Sequence, residues 1–192
     1  IDKKASTAVP TAGVRVAKNG HFEMIYNPEF FEKLTDVERA GVLKHEFYHL
    51  VFEHVTGRLP EEGMTKMWNF ATDLAINSNL RGELPEGGLI PGEGHFADMP
   101  VGLTAEAYFG LLKKKQQEQE EEQGEGQEGE GGEGQDDGGD GEGQPGDADG
   151  NGQCGQGGEP EPFDDHSGWG EGDNTAQEIA KQRLKETIKK AA

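Results

Sequence analysis

The sequence predicts an α+β fold, a small antiparallel hairpin packed on a helical core with one long helix at its centre. Three observations predict it. Two short β-prone runs, residues 14–17 and 21–26, flank Lys18-Asn19-Gly20, and Asn-Gly between such runs signals a hairpin because both residues tolerate positive φ. Several later stretches carry helical spacing of apolar residues behind recognisable start signals. Beyond residue 115, apolar residues almost disappear until residue 163, so the core belongs to the first part of the chain.

Each element follows from local chemistry. Asn27-Pro28 fits an N-cap followed by proline at the first helical position. Thr35 with Glu38 forms a capping box, which starts a second helix near Asp36. Its apolar positions run through Ala40, Leu43, Phe47, Leu50 and Val51 and point to an end near Gly57. They occupy more than one face, which makes this helix central. Gly63 precedes a third helix over roughly residues 65–80, a loop rich in Gly and Pro covers 82–102, and Thr104 caps a fourth helix carrying Ala107, Tyr108, Leu111 and Leu112.

Three regions result. Residues 1–115 form the folded domain. Residues 116–162 are an acidic Gly-rich linker that cannot bury enough apolar surface to order itself; the expectation is disorder, or a helix fraying after Glu122. Residues 163–192 hold an aromatic segment with Phe163 and Trp169, then a helix with Ile179, Leu184 and Ile188 on one side, suited to dock on the domain or to meet a partner.

Composition narrows the function classes. The 192 residues carry a formal net charge of −20, and no Lys or Arg lies between Lys115 and Lys181. Such a chain repels nucleic acid and anionic membranes. The one cysteine, Cys154, permits no internal disulfide. No signal peptide or membrane-length apolar run is visible, and the expected location is cytoplasmic.

The chemistry lies in His45-Glu46-Phe47-Tyr48-His49, an H-E-x-x-H pattern on a helix. Residues four apart project from one helix face, so both imidazoles can close on one zinc ion at about 2.0–2.1 Å. Glu46 sits about 100° around the helix, placed to act on a zinc-bound water without ligating the metal. Zinc lowers the pKa of that water to about 7; Glu46 takes its proton, and a peptide carbonyl is attacked. A third donor is required. Position 55, where one peptidase pattern has histidine, is Val55. In a continuing helix His54 lies about 180° from His45, and Glu53 lies about 12 Å along the axis. The third helix offers Asn69, Asp73 and Asn77, a polar stripe spaced by four. A solvated face is the ordinary explanation, yet the stripe lacks the Lys, Arg and Glu of solvated helices. A buried acid needs a partner, so Asp73 is the candidate third ligand, with Asn77 or Asn69 orienting it.

His45-Glu46-x-x-His49 followed by Trp68-Asn69-x-Ala71-x-Asp73-x-x-Ile76-Asn77 resembles the HExxH metallopeptidase family of bacteria and phages, often joined to a von Willebrand factor A-like domain. The resemblance covers about residues 10–115. It implies a zincin-like, gluzincin-like core with an edge strand beside the metal helix, His45, His49 and Asp73 as zinc ligands and Glu46 as base. It also implies a von Willebrand factor A-like or AAA+ partner; the chain carries no complete domain of the former type.

Three weaker candidates remain. Residues 147–152 copy half of a calcium loop, but its twelfth position is Gly158 rather than Glu. His95 and His166 are each placed to serve as an oxyanion donor; His166, within an aromatic island after the linker, is the second catalytic candidate and can cap the cleft as a lid. Substrate is expected to lie extended beside residues 21–26 as an edge strand, with Gly41 leaving room for one of its side chains. The leading function is a zinc-dependent metalloendopeptidase. The alternatives are a zinc-binding adaptor without turnover and an acidic partner-binding protein.

Overall fold

A computed structural model describes residues 1–61, 63–125, 166 and 174–191. Cys154, the calcium-like loop, Phe163 and Trp169 lie outside them. Three strands, β1 (Asp2–Ala5), β2 (Ala12–Val16) and β3 (Phe22–Tyr26), precede the helices α1 (Pro28–Lys33), α2 (Asp36–Val51), α3 (Lys66–Asn77), α4 (Ala105–Glu125) and α5 (Asn174–Ala191). Residues Ile1–Lys114 and Pro160–Ala192 make one compact unit. Of the other, Lys115–Glu159, only the C-terminal part of α4 is described. Among the described residues no helix is long and apolar enough to cross a membrane.

The fold is α+β, and its sheet is mixed rather than purely antiparallel. β2 and β3 form the expected hairpin, with Val14 opposite Met24. The turn differs in detail. The Gly20 N–H donates to the Ala17 carbonyl and the Ala17 N–H to the His21 carbonyl. Gly20 alone in this loop has positive φ, +69°, which gives a three-residue connection. β1 pairs parallel to β3 and is exposed at all four positions. Asp-Lys-Lys-Ala has no apolar alternation, because a strand exposed on both faces buries nothing. Its addition makes β3 the middle strand, in the order β1-β3-β2. Both sides of β3 are therefore taken by backbone hydrogen bonds, and substrate cannot pair there as expected.

Both predicted helix starts form. The Asn27 side chain accepts the Glu29 N–H, and Pro28 opens α1. Thr35 and Glu38 complete the capping box of α2. The end of α2 departs from expectation. The helix stops at Val51, not near Gly57. Glu53 adopts φ +59°, while the His54 N–H donates to the His49 carbonyl and the Glu53 N–H to the Leu50 carbonyl. This pair is a Schellman closure, normally built on glycine. Glu53 stands there although the left-handed region costs a non-glycine residue about 1–2 kcal/mol, and its carboxylate meets Lys181 of α5 at 3.1 Å.

Two apolar clusters flank a polar seam. Val42 and Leu50 of α2 join Ala12, Val14 and Met24 of the sheet. Trp68, Ala71 and Leu74 of α3 join Leu89, Phe96 and Tyr108. What remains between α2 and α3 is polar and fully buried: His45, His49, Asp73 and Asn77 are each 0% exposed. Thr104 caps α4 by accepting the Ala107 N–H, and that helix continues to Glu125. α5 docks through Ala176 and Ala180 and Leu184, while Arg183 donates to the Gly20 carbonyl at 3.0 Å. The expected Ile179–Ile188 side is only partly used, since both remain more than 40% exposed.

Gly41 does not leave room for substrate. A Cβ there would fall 2.0 Å from the Glu83 carbonyl oxygen, so the space is filled by the loop after α3. Gly41→Ala forces two backbones apart, and we expect a loss of at least about 2 kcal/mol, within the range for overpacked cores. Urea unfolding measures it; an unchanged midpoint would show that the α2–loop contact is looser than described.

Candidate metal centre

Four donors converge in the seam. His45 and His49 leave the same face of α2 one turn apart, with Nε2 atoms 2.8 Å from each other. Asp73 faces them from α3, its Oδ1 lying 3.7 Å from His45 Nε2 and 3.4 Å from His49 Nε2. His166 Nε2 is 3.1 Å from His49 Nε2 and 3.4 Å from Asp73 Oδ1. One ligand atom from each of the four lies within 4.8 Å of every other, all in buried residues.

The neighbours fix how the rings present themselves. Asn77 Nδ2 donates to the Leu89 carbonyl. Its Oδ1 is thereby left to accept from His45 Nδ1, 2.7 Å away. His45 then holds its proton on Nδ1 and turns an Nε2 lone pair to the centre. Asn77 thus orients a histidine rather than Asp73, and Asn69 Oδ1 meets no hydrogen-bond donor among the described residues.

His49 has a comparable support. Its Nδ1 lies 3.2 Å from Nδ1 of buried His54. Burial first, and then the Arg58 charge, pushes the His54 pKa down from 6.5 to about 3. His54 is therefore neutral, and its Nδ1 can accept the proton of His49 Nδ1, leaving His49 Nε2 to face the centre. Sequence reasoning set His54 aside because a continuing helix carries it to the far side. The Schellman turn reverses the chain and brings it back. Position 53 gives no signal for that turn, since glutamate stands where glycine is usual.

Convergent nitrogen lone pairs beside a carboxylate need positive charge between them, and oriented imidazoles backed by outer hydrogen bonds are how proteins hold metal ions. The donor set fits a metal. His95 is not brought here; it lies in the short 3-10 turn Gly94–Phe96 against the Phe96 ring. Tyr108 is a core residue whose hydroxyl donates to the Pro100 carbonyl. Glu46, 1% exposed, leaves α2 beside His45 and forms part of a groove of about 520 Å³. The groove is lined also by Leu43 and Phe47 of α2, Met24, Val14 and Lys3.

A family model described as "Putative metallopeptidase domain" matches residues 6–192. No curated protein and no solved structure gives a match.

Keeping His54 neutral ties stability to pH. The unfolded chain protonates this residue below about pH 6.5, whereas the folded chain resists protonation down to about 3. The stabilisation is fully present above the unfolded pKa and is lost as pH falls through that window. With metal removed by chelator, His54→Gln is expected to reduce the slope of unfolding free energy against pH, between pH 6.5 and 5, by up to about 1.4 kcal/mol per unit. Denaturant titrations at several pH values measure it; identical slopes would mean His54 titrates normally in the fold.

Proposed function

The chain belongs to this metallopeptidase-domain family, and from that premise we propose that it is a zinc-dependent endopeptidase of zincin-like, gluzincin-like build. One observation carries the reading: donor atoms of His45, His49 and Asp73 meet at one point, next to a glutamate that opens onto an apolar groove. Zinc suits the set. Around a tetrahedral ion with bonds of about 2.0–2.1 Å, neighbouring donors lie about 3.3–3.4 Å apart. The distances among these three donors, 2.8, 3.4 and 3.7 Å, straddle that value. Two imidazoles and a carboxylate are also a donor mixture that zinc takes.

In this reading His45 and His49 from α2 and Asp73 from α3 hold the ion. When bound, zinc supplies a water of lowered pKa and polarises a carbonyl. The chain's own groups do the rest. Asn77 and His54 keep the two imidazoles turned inward. The Glu46 carboxylate takes a proton from water and returns it to the departing amine nitrogen, which a general acid–base group must do from hydrogen-bond reach. Leu43 and Phe47, each 47% exposed, offer an apolar wall for a substrate side chain. With β3 enclosed, the outer strands of the sheet that reach the groove are β1, through Lys3, and β2, through Val14.

A zinc module without turnover is the second reading, and one observation favours it: four protein donors resemble a closed structural site. Glu46→Gln separates the two. With His166→Ala in both proteins, so that the fourth donor of the cluster masks no turnover, the expected outcome is loss of at least about 10²-fold in hydrolysis of unfolded peptides, with zinc content unchanged. Equal hydrolysis with and without Glu46, or none by either protein, favours the module.

A further inference from the structure

Resting on the zinc reading above, we propose that His166 is a fourth protein ligand, closing the centre in the folded chain at the position a catalytic zinc reserves for water. The peptidase is latent until this histidine is displaced.

Three observations support the closure. His166 is 2% exposed, and its Nε2 stands 3.1 and 3.4 Å from two of the other donors, again around the donor spacing of about 3.3–3.4 Å in tetrahedral zinc. An oxyanion donor has a different place: it reaches the oxygen of a bound substrate, not the ligand atoms themselves. Second, the donor count changes the class of site. Three protein ligands with an open position mark catalytic zinc, and four mark a closed structural one. His45, His49 and Asp73 alone are of the first kind, whereas adding His166 makes the second. Third, the ligands are mounted differently. His45, His49 and Asp73 stand on α2 and α3, which pack together. His166 belongs to no helix or strand and comes 117 residues after His49.

The delivery of His166 is anchored nearby. α5 starts at Asn174 and is pinned to the turn that ends α2. Lys181 and Lys185 of α5 both approach the Glu53 carboxylate, at 3.1 and 3.7 Å. The residue in the left-handed closing position of the metal helix thus also holds the element that follows His166. Removing His166 from the centre exchanges one protein donor for an open position and leaves the other three, with their Asn77 and His54 supports, in place.

The test uses the full chain, stripped of metal and reloaded with Zn²⁺ or Co²⁺. X-ray absorption of the zinc form is expected to report three imidazoles, from His45, His49 and His166, in the parent, and two in His166→Ala. The visible spectrum of the cobalt form is expected to ignore added acetohydroxamate in the parent and to respond to it in His166→Ala. His166→Gln, closer in size, is the second variant should the alanine form fail to fold, and the parent's imidazole count needs no variant. Two imidazoles in the parent, or a parent cobalt spectrum that shifts with hydroxamate as readily as the variant's, overturns the closure while leaving the zinc reading intact. Failure of the parent to bind either ion overturns both.

Discussion

Everything near the site depends on a single packing fact: two helices meet through polar side chains at full burial. α2 gives Val42 and Leu50 to the sheet, and α3 gives Trp68, Ala71 and Leu74 to the cluster around Phe96 and Tyr108. The seam left between them holds two imidazoles, a carboxylate and an amide with no exposure. Such groups are expensive to desolvate unless partnered. An ion shared among them would turn that cost into an attraction joining α2 to α3, and would couple metal binding to the folding of this seam.

The outer contacts make the seam directional. Asn77 is tied to the Leu89 carbonyl before it touches His45, so the loop after α3 sets the tautomer of a residue on α2. His54 plays a similar part for His49 from a tight turn. Neither support is among the residues that line the groove. Gly41 serves the same architecture, because only a residue without Cβ lets the loop carbonyl at Glu83 come against α2.

Much of this was legible in the sequence where the physics is local. The hairpin, the Asn27-Pro28 start and the Thr35–Glu38 box each depend on residues a few positions apart. The stripe of Asn69, Asp73 and Asn77 stood out because a face of that helix lacked long charged side chains, and it proves to be buried. Features built from distant contacts were not legible. β1 carries no pattern, since its pairing uses backbone groups and its side chains all face solvent. The end of α2 was placed too late because apolar spacing continues past Val51 and the left-handed position holds glutamate. That error alone concealed His54. Which residue Asn77 would orient depends on the crossing of two helices, and no spacing rule contains it.

The central claim is that His45, His49 and Asp73 together grip one ion. Metal analysis of the full chain carrying His166→Ala, which leaves these three donors alone, against the same chain with Asp73→Ala added tests it most directly. One zinc per chain in the first, falling sharply in the second while circular dichroism keeps its helical signal, is the predicted result. Equal zinc in both proteins, or a metal-free first protein after incubation with zinc and removal of excess, would contradict it.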